Sequence, residues 1–297
     1  MANRHESRRD GTGRTLAAAS SPGLPADEPV SGSARTRSTP TAKRANAALR
    51  RRFKKLCAFD HEFEAQGFSV IAGVDEAGRG ALAGPVVCAA VVLRDESLLL
   101  RVNDSKTVDE EEREALFSEI VASALAVRIS FSPPAAIDKH NILQATLMSM
   151  HRAVDTLRPR PDLVLVDGRE LFQWSGRMLP VIRGDAKSLR VAAASIVAKV
   201  ARDRLMRRLH RRYPQYHFDQ NKGYGTSEHW DAIRAHGVAD VHRKTFVLKY
   251  VANNLSMFYL LLQLGGEVRG KSGGGGDDEY ETNRPVGRGN RRPVSTA

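Results

Sequence analysis

Strand-like and helix-like segments alternate in this chain, and the strand-like ones come early. Residues 68–75 (FSVIAGVD) and 85–93 (PVVCAAVVL) are rich in β-branched side chains and bounded by glycine and proline, so both read as strands. The strongly acidic segment 108–124 reads as a helix, and 126–131 (AVRISF) as a short strand. Over 141–157, Ile142, Ala145, Leu147, Met148 and Ala153 recur at roughly helical spacing. A buried-type strand at 163–166 (LVLV) and a fifth at 178–182 follow. A long Ala-rich helix over 188–212 comes next, then helices over 226–236 and 252–264. This order predicts an α/β fold, a core of about five strands with a helical C-terminal part from about residue 205.

The folded region is expected to span 56–266. Residues 1–55 are rich in Ser, Ala, Pro and Arg and read as a disordered arm, with a short basic helix allowed over 45–55. Residues 267–297 combine GGGG, an acidic cluster and Arg/Pro/Gly repeats and read as a tail. With 41% apolar residues in 297, the chain can build a sizeable core without disulfides. Its two cysteines, Cys57 and Cys88, have no metal-type spacing and fit a reducing compartment, which points to the cytoplasm. No apolar run is long enough to span a membrane, and the first residues lack the apolar stretch of a secretion signal.

The net charge of +12 calls for an anionic partner, nucleic acid first. That charge is unevenly spread. Residues 1–55 hold 13 basic and 4 acidic side chains, 56–182 hold 12 and 19, and 183–249 hold 15 and 6. The arm is therefore expected to add salt-sensitive, non-specific affinity, beside a folded region that is acidic first and basic later.

Four acids fall where predicted strands end. Asp75 and Glu76 close the first strand before a glycine turn, Asp167 closes LVLV before Gly168, and Asp185 follows Gly184. Open α/β sheets bind ligands at strand ends. Carboxylates gathered there repel each other unless cations neutralise them. Oxygen-only donors suit Mg²⁺ or Mn²⁺, and two such ions about 3.5–4 Å apart can activate water for phosphodiester cleavage. Taken singly, Asp167 and Asp185 read more readily as ordinary turns, which Asp and Gly dominate. The adjacent pair is harder to dismiss: on an extended backbone Asp75 and Glu76 point to opposite sides, so one must face a crowded region.

The segment GRGALAG (78–84) has the wrong glycine spacing for a dinucleotide fingerprint and leads into a strand rather than a helix, which disfavours a nicotinamide or flavin enzyme. It reads either as a simple turn or as a close-approach loop, in which Arg79 offers charge to a phosphate. Ser188, Ser195, Lys199 and Arg202, spaced by seven, four and three, form one polar strip on a helix, which suits a phosphate backbone or a solvated face. In NKGYGT (221–226), Tyr224 sits between glycines beside Lys222, placed to stack on a base or sugar or to half-bury in a turn. His229, His236 and His242 show no metal-like clustering.

Together these segments resemble ribonuclease HII, the type 2 ribonuclease H family. The resemblance runs over about 73–246 and rests on GVDEAGRG (73–80), LAGPVV (82–87), NDSK (103–106), NILQAT (141–146), VDG (166–168), GDAKS (184–188), AAASIVAKVARDRLM (192–206), KGYGT (222–226) and HRKTF (242–246). It implies an RNase H-like fold with a central mixed five-stranded sheet flanked by helices. It implies hydrolysis of the RNA strand of RNA–DNA hybrids and incision 5′ of single ribonucleotides embedded in duplex DNA, by metal-activated water, leaving 3′-hydroxyl and 5′-phosphate ends. By the same resemblance Asp75, Glu76, Asp167 and Asp185 are the metal-binding catalytic acids, with a two-metal Mn²⁺ or Mg²⁺ site. Gly78, Arg79 and Gly80 fall on the reader of the ribose 2′-hydroxyl, and Tyr224 on the tyrosine that stacks at the RNA-to-DNA junction. Lys106, Ser188, Lys199 and Lys222 are expected phosphate contacts, and a monomer is expected. Departures from the family pattern are Ala81 in place of proline, Thr107 and Val108 in place of Lys and Leu, and the run after Phe246. The competing reading is a non-catalytic nucleic-acid-binding protein of the same fold, which the four acids disfavour because carboxylates weaken phosphate binding.

Overall fold

The computed structural model describes residues 40–102 and 108–252. The chain divides between Lys43 and Arg44 into two units, and the fold belongs to the second. The expected tail at 267–297, the bulk of the expected helix over 252–264 and the predicted phosphate contact Lys106 lie outside the described residues.

Five strands, β1 (Ile71–Ala77), β2 (Val86–Leu93), β3 (Ala124–Ser132), β4 (Leu163–Asp167) and β5 (Arg177–Val181), form one sheet in the order β3-β2-β1-β4-β5. The β1–β2 and β2–β3 pairs are antiparallel, and β4 runs parallel to both β1 and β5. The sheet is mixed, as expected. Strand β2 is buried along its whole length because both its faces are covered, which is why it reads as a continuous apolar run rather than an alternating one. Ala89, Val91 and Leu93 face helices α2 (Glu110–Ser123) and α4 (Leu189–Arg212), while Cys88, Ala90 and Val92 face α3 (Pro134–Asp155).

Helix α4 lies directly on β1. A Cβ at Gly73 would stand 2.1 Å from the Arg190 carbonyl carbon, so only glycine permits that approach. Helix α3 begins before the expected 141, but Asn141 interrupts it at φ +64° and its side chain accepts from the Gln144 amide, so a second helical segment does start there.

Residues 1–39 of the expected arm lie outside the described residues; helix α1 (Pro40–Glu64) contains the short basic helix allowed over 45–55 and continues past residue 55. Its later turns carry Leu56 and Cys57 into the α4–β2 core and set Phe59 and Phe63 against Ile71, Leu165 and Val191. The seven cations between Lys43 and Lys55 therefore sit on a helix, with no acid among them.

Beyond the sheet, α4 runs unbroken past 205 to Arg212. A separate C-terminal core follows, built from Tyr216 and Phe218 (on the short α5, Phe218–Asn221), Trp230 and Ile233 on α6 (Ser227–His236), and Val247 and Val251 on α7 (Lys244–Ala252). Helix α7 was not foreseen, because its N-terminal amides are capped from far away: the Asp138 carboxylate accepts from the Lys244 and Thr245 amides. Among the described residues no helix is long and apolar enough to cross a membrane.

Candidate active site

Strand register brings the first two acids together. Val74 pairs with Val166 in the parallel β1–β4 ladder, so Asp75 and Asp167 leave neighbouring strands side by side. Asp75 shares the face of Ile71 and Gly73, and Asp167 that of Leu163 and Leu165, so both project toward α4. Asp185 arrives from the 3-10 turn Gly184–Ala186, and that turn is tied to Asp167, whose Oδ1 accepts from the Gly184 amide at 2.6 Å. Glu76, on the opposite face of β1, accepts from Arg79 Nη1 at 3.1 Å. All four acids line one cleft of about 250 Å³ with Ala77, Gly78, Arg79, Gly80, Ser195, Lys199 and Tyr224.

Of the adjacent pair, Asp75 is the crowded one. It is buried, and burial, then Glu76, then Asp167, push its carboxyl well above the usual range; a hydrogen bond from Ser195 and one from the Glu76 amide work the other way. A buried acid beside two further acids, with only oxygen donors around it, fits a divalent cation of the Mg²⁺ or Mn²⁺ class.

The other wall is a loop. Gly78 has φ +90°, and a Cβ there would meet the Arg202 side chain at 1.8 Å. Two fully buried arginines hold this loop by its carbonyls. Arg243 donates to the oxygens of Gly78 (2.7 Å), Arg79 (2.8 Å) and Gly84 (3.0 Å), and Arg202 to those of Pro85 (3.1 Å) and Ala83 (3.2 Å). Burial, then Arg202, lower Arg243 to about 9. The half-exposed Tyr224 ring lies 5.3 Å from the Arg202 guanidinium.

Tyr224 is held from behind by a buried histidine relay whose tautomers follow from its ends. His229 Nδ1 lies 2.9 Å from the Tyr224 carbonyl and must donate to it. His229 Nε2, left without a proton, then accepts from His242 Nε2 at 3.1 Å, and the neutral His242 ring turns an unprotonated Nδ1 to the Ala239 amide at 3.0 Å, with the Ala239 carbonyl at 3.2 Å. Both rings are neutral in this arrangement.

The expected polar strip on α4 is an inward face. Ser195 and Lys199 reach the cleft, with Lys199 Nζ on Asp203 at 2.6 Å. Arg202 is buried under the glycine loop. Ser188 is fully buried as the α4 N-cap, accepting from the Val191 amide at 3.2 Å and donating to Asp60. Lys222 lies outside the cleft lining, bonded to the Asp219 carbonyl and 3.5 Å from Glu110. Sequence reasoning missed Arg243 and the His229–His242 relay; Ser195 and Arg202 were noticed, but not as a partner of Asp75 and a support of the loop.

The sequence profile of ribonuclease HII matches residues 72–249. Ribonuclease HII of Ruminiclostridium cellulolyticum is 48% identical over 200 residues, 67% of this chain and 78% of that protein. Ribonuclease HII of Endomicrobium trichonymphae is 46% identical over 195 residues, 65% and 93% respectively. Ribonuclease H2 from Pyrococcus horikoshii superposes with a TM-score of 0.52 at 27% identity, covering 60% of this chain and 93% of that one. Ribonuclease HII in its PCNA complex from Archaeoglobus fulgidus gives 0.52 at 26% identity, covering 59% and 94%.

The mixed sheet and its acid-lined cleft thus define a ribonuclease, a hydrolase of phosphodiester bonds on the ribonuclease H-like fold. Within that class the chain belongs to the ribonuclease HII family, whose members depend on divalent metal ions and act on RNA–DNA hybrids.

Proposed function

We propose that this enzyme incises the RNA strand of hybrids and also cuts 5′ of single ribonucleotides embedded in duplex DNA, leaving 3′-hydroxyl and 5′-phosphate ends. Asp75, Glu76, Asp167 and Asp185 hold the divalent ions, Mg²⁺ or Mn²⁺. Bound there, such ions supply Lewis-acid stabilisation of the phosphate and lower the pKa of water. The rest falls to the chain. Gly78 and Gly80 leave backbone groups bare of Cβ atoms, so that a ribose 2′-hydroxyl can be tested by hydrogen bonding, a discrimination phosphate contacts cannot make. Tyr224 stacks against the sugar or base on the 3′ side. Lys199, Lys222, Lys106 and Ser188 were expected at the phosphates. Among the described residues of this set, Lys199 lines the cleft while Lys222 and Ser188 do not; Lys199 and Lys106 are the contacts retained in this reading. A monomer in a reducing cytoplasm is part of the same reading; both thiols, Cys57 and Cys88, are free and buried.

One observation carries the proposal: the Val74–Val166 register sets Asp75 beside Asp167 in the cleft that also holds the glycine loop and Tyr224. The test is a DNA duplex containing one ribonucleotide. Incision on its 5′ side with a 3′-hydroxyl end is expected. Cleavage of long hybrids with no cut at the single ribonucleotide would overturn the junction reading and leave the ribonuclease H activity standing.

A further inference from the structure

Away from the cleft, α1 places His61 and Glu64 one turn apart, and the loop after β2 brings Glu96 to them. His61 Nε2 lies 3.2 Å from Glu96 Oε1 and 3.8 Å from Glu64 Oε2. One ligand atom from each of the three lies within 4.8 Å of the others. A tetrahedral ion with bonds of about 2.0–2.1 Å holds its ligands about 3.3–3.4 Å apart, so these separations bracket its edge.

The surroundings orient these groups. Arg190 Nη2 holds Glu64 Oε1 at 2.5 Å, which leaves Oε2 on the His61 side. Cys57, one turn before His61 on the same helix, donates its thiol to Glu96 and lines the same open pocket of about 510 Å³. Asp60, Glu64 and Glu96 all face the guanidinium of Arg190, and the buried Oδ1 of Asp60 lacks a hydrogen-bond partner. Lys54 and Arg94 line the pocket as well, so it is the donor geometry rather than net charge that singles out a cation site.

We propose that His61, Glu64 and Glu96 form a second metal site, of the zinc class, which clips α1 to the end of β2. An imidazole among the donors favours Zn²⁺ over Mg²⁺ or Mn²⁺, whereas the oxygen-only cleft favours the reverse. The fourth position opens to the pocket and takes water. Through this clip the ion steadies the helix whose Arg52 Nη2 lies 3.4 Å from the Asp185 carbonyl.

The experiment is calorimetric titration of the full chain with Zn²⁺ in excess Mg²⁺, which keeps the cleft filled, together with thermal unfolding. Wild type is expected to take up one equivalent and to gain thermal stability. His61→Ala and Glu96→Gln should each weaken uptake by about tenfold or more and remove that gain. Both should keep wild-type hydrolysis in Mg²⁺, which also shows that they fold, and Co²⁺ in place of Zn²⁺ should give visible d–d bands that both variants lose. Asp75→Asn should leave Zn²⁺ uptake unchanged. No saturable uptake by wild type, equal uptake in the His61 and Glu96 variants, or loss of uptake in Asp75→Asn would each overturn the site and leave only polar contacts between His61 and its glutamates.

Discussion

The two walls of the cleft are built on opposite principles. The carboxylate wall is made by strand register: Asp75 and Asp167 leave paired strands, and burial beside like charges makes their electrostatics unfavourable. The loop wall is made by satisfaction. Its carbonyls are claimed by Arg202 and Arg243, and Tyr224 is claimed by the His229–His242 relay. One wall stores repulsion that chemistry can use; the other spends hydrogen bonds on holding a shape that substrate must match. Replacing a residue should therefore move activity and stability in different combinations on the two sides.

The sharpest separation comes from Asp75→Asn. Hydrolysis of hybrid should fall by about 10³-fold or more, about 4 kcal/mol of transition-state stabilisation. In chelator-treated protein the same variant should melt higher than wild type, because a buried charge beside Glu76 and Asp167 is gone. A lower melting temperature would mean that the carboxylate wall is satisfied like its neighbour. Arg243→Met tests the other wall and should do the reverse. It removes the arginine donor from three carbonyl oxygens, leaving the buried Gly84 oxygen unpaired and the Gly78 oxygen with only the Ala81 amide at 3.4 Å, which should cost about 2–3 kcal/mol of stability. Activity should fall mainly through weaker discrimination of ribonucleotide from deoxyribonucleotide. Unchanged discrimination at lowered stability would make Arg243 a structural residue only.

Acid separates the walls next. His242 is held at about 4 by burial and by His229, below its ordinary 6.5. A group depressed in the folded state contributes stability above its unfolded pKa, and that contribution is lost as pH falls through the folded value. The relay should thus weaken between about pH 6.5 and 4, by about 3 kcal/mol when complete. Asp75, shifted upward, responds in the opposite sense and is relieved by acid. A ring titration of His242 by NMR decides the point: a midpoint near the ordinary histidine value would break the relay.

What was legible in the sequence follows the same division. The four acids could be read because a charge that ends an apolar run is a local signal, and parallel register then did the assembling. The supports of the loop wall could not, because Arg243 comes from 165 residues beyond Gly78, and a buried arginine looks like any surface cation until its partners are known. Helix α1 was legible only in part. Its basic stretch over 45–55 could be read as a short helix, but that run resembles a disordered arm and masks the helical spacing of Phe53, Leu56, Cys57, Asp60 and Phe63 that continues it.

Ser188 is the smallest test of that lesson, and it bears on how the strip on α4 is understood. In sequence it stands seven residues before Ser195 and seemed to share a phosphate-facing stripe. The helix has not begun at Ser188, however. At φ −113° and ψ 132° its backbone is extended, and its hydroxyl is spent on the Val191 amide and on Asp60. Ser188→Ala should cost about 1–2 kcal/mol, since it removes an N-cap and a donor to a buried carboxylate. Turnover and KM should remain those of wild type once the protein is folded. A rise in KM with the melting temperature unchanged would restore the phosphate contact and would place Ser188 on the substrate side of the comparison after all.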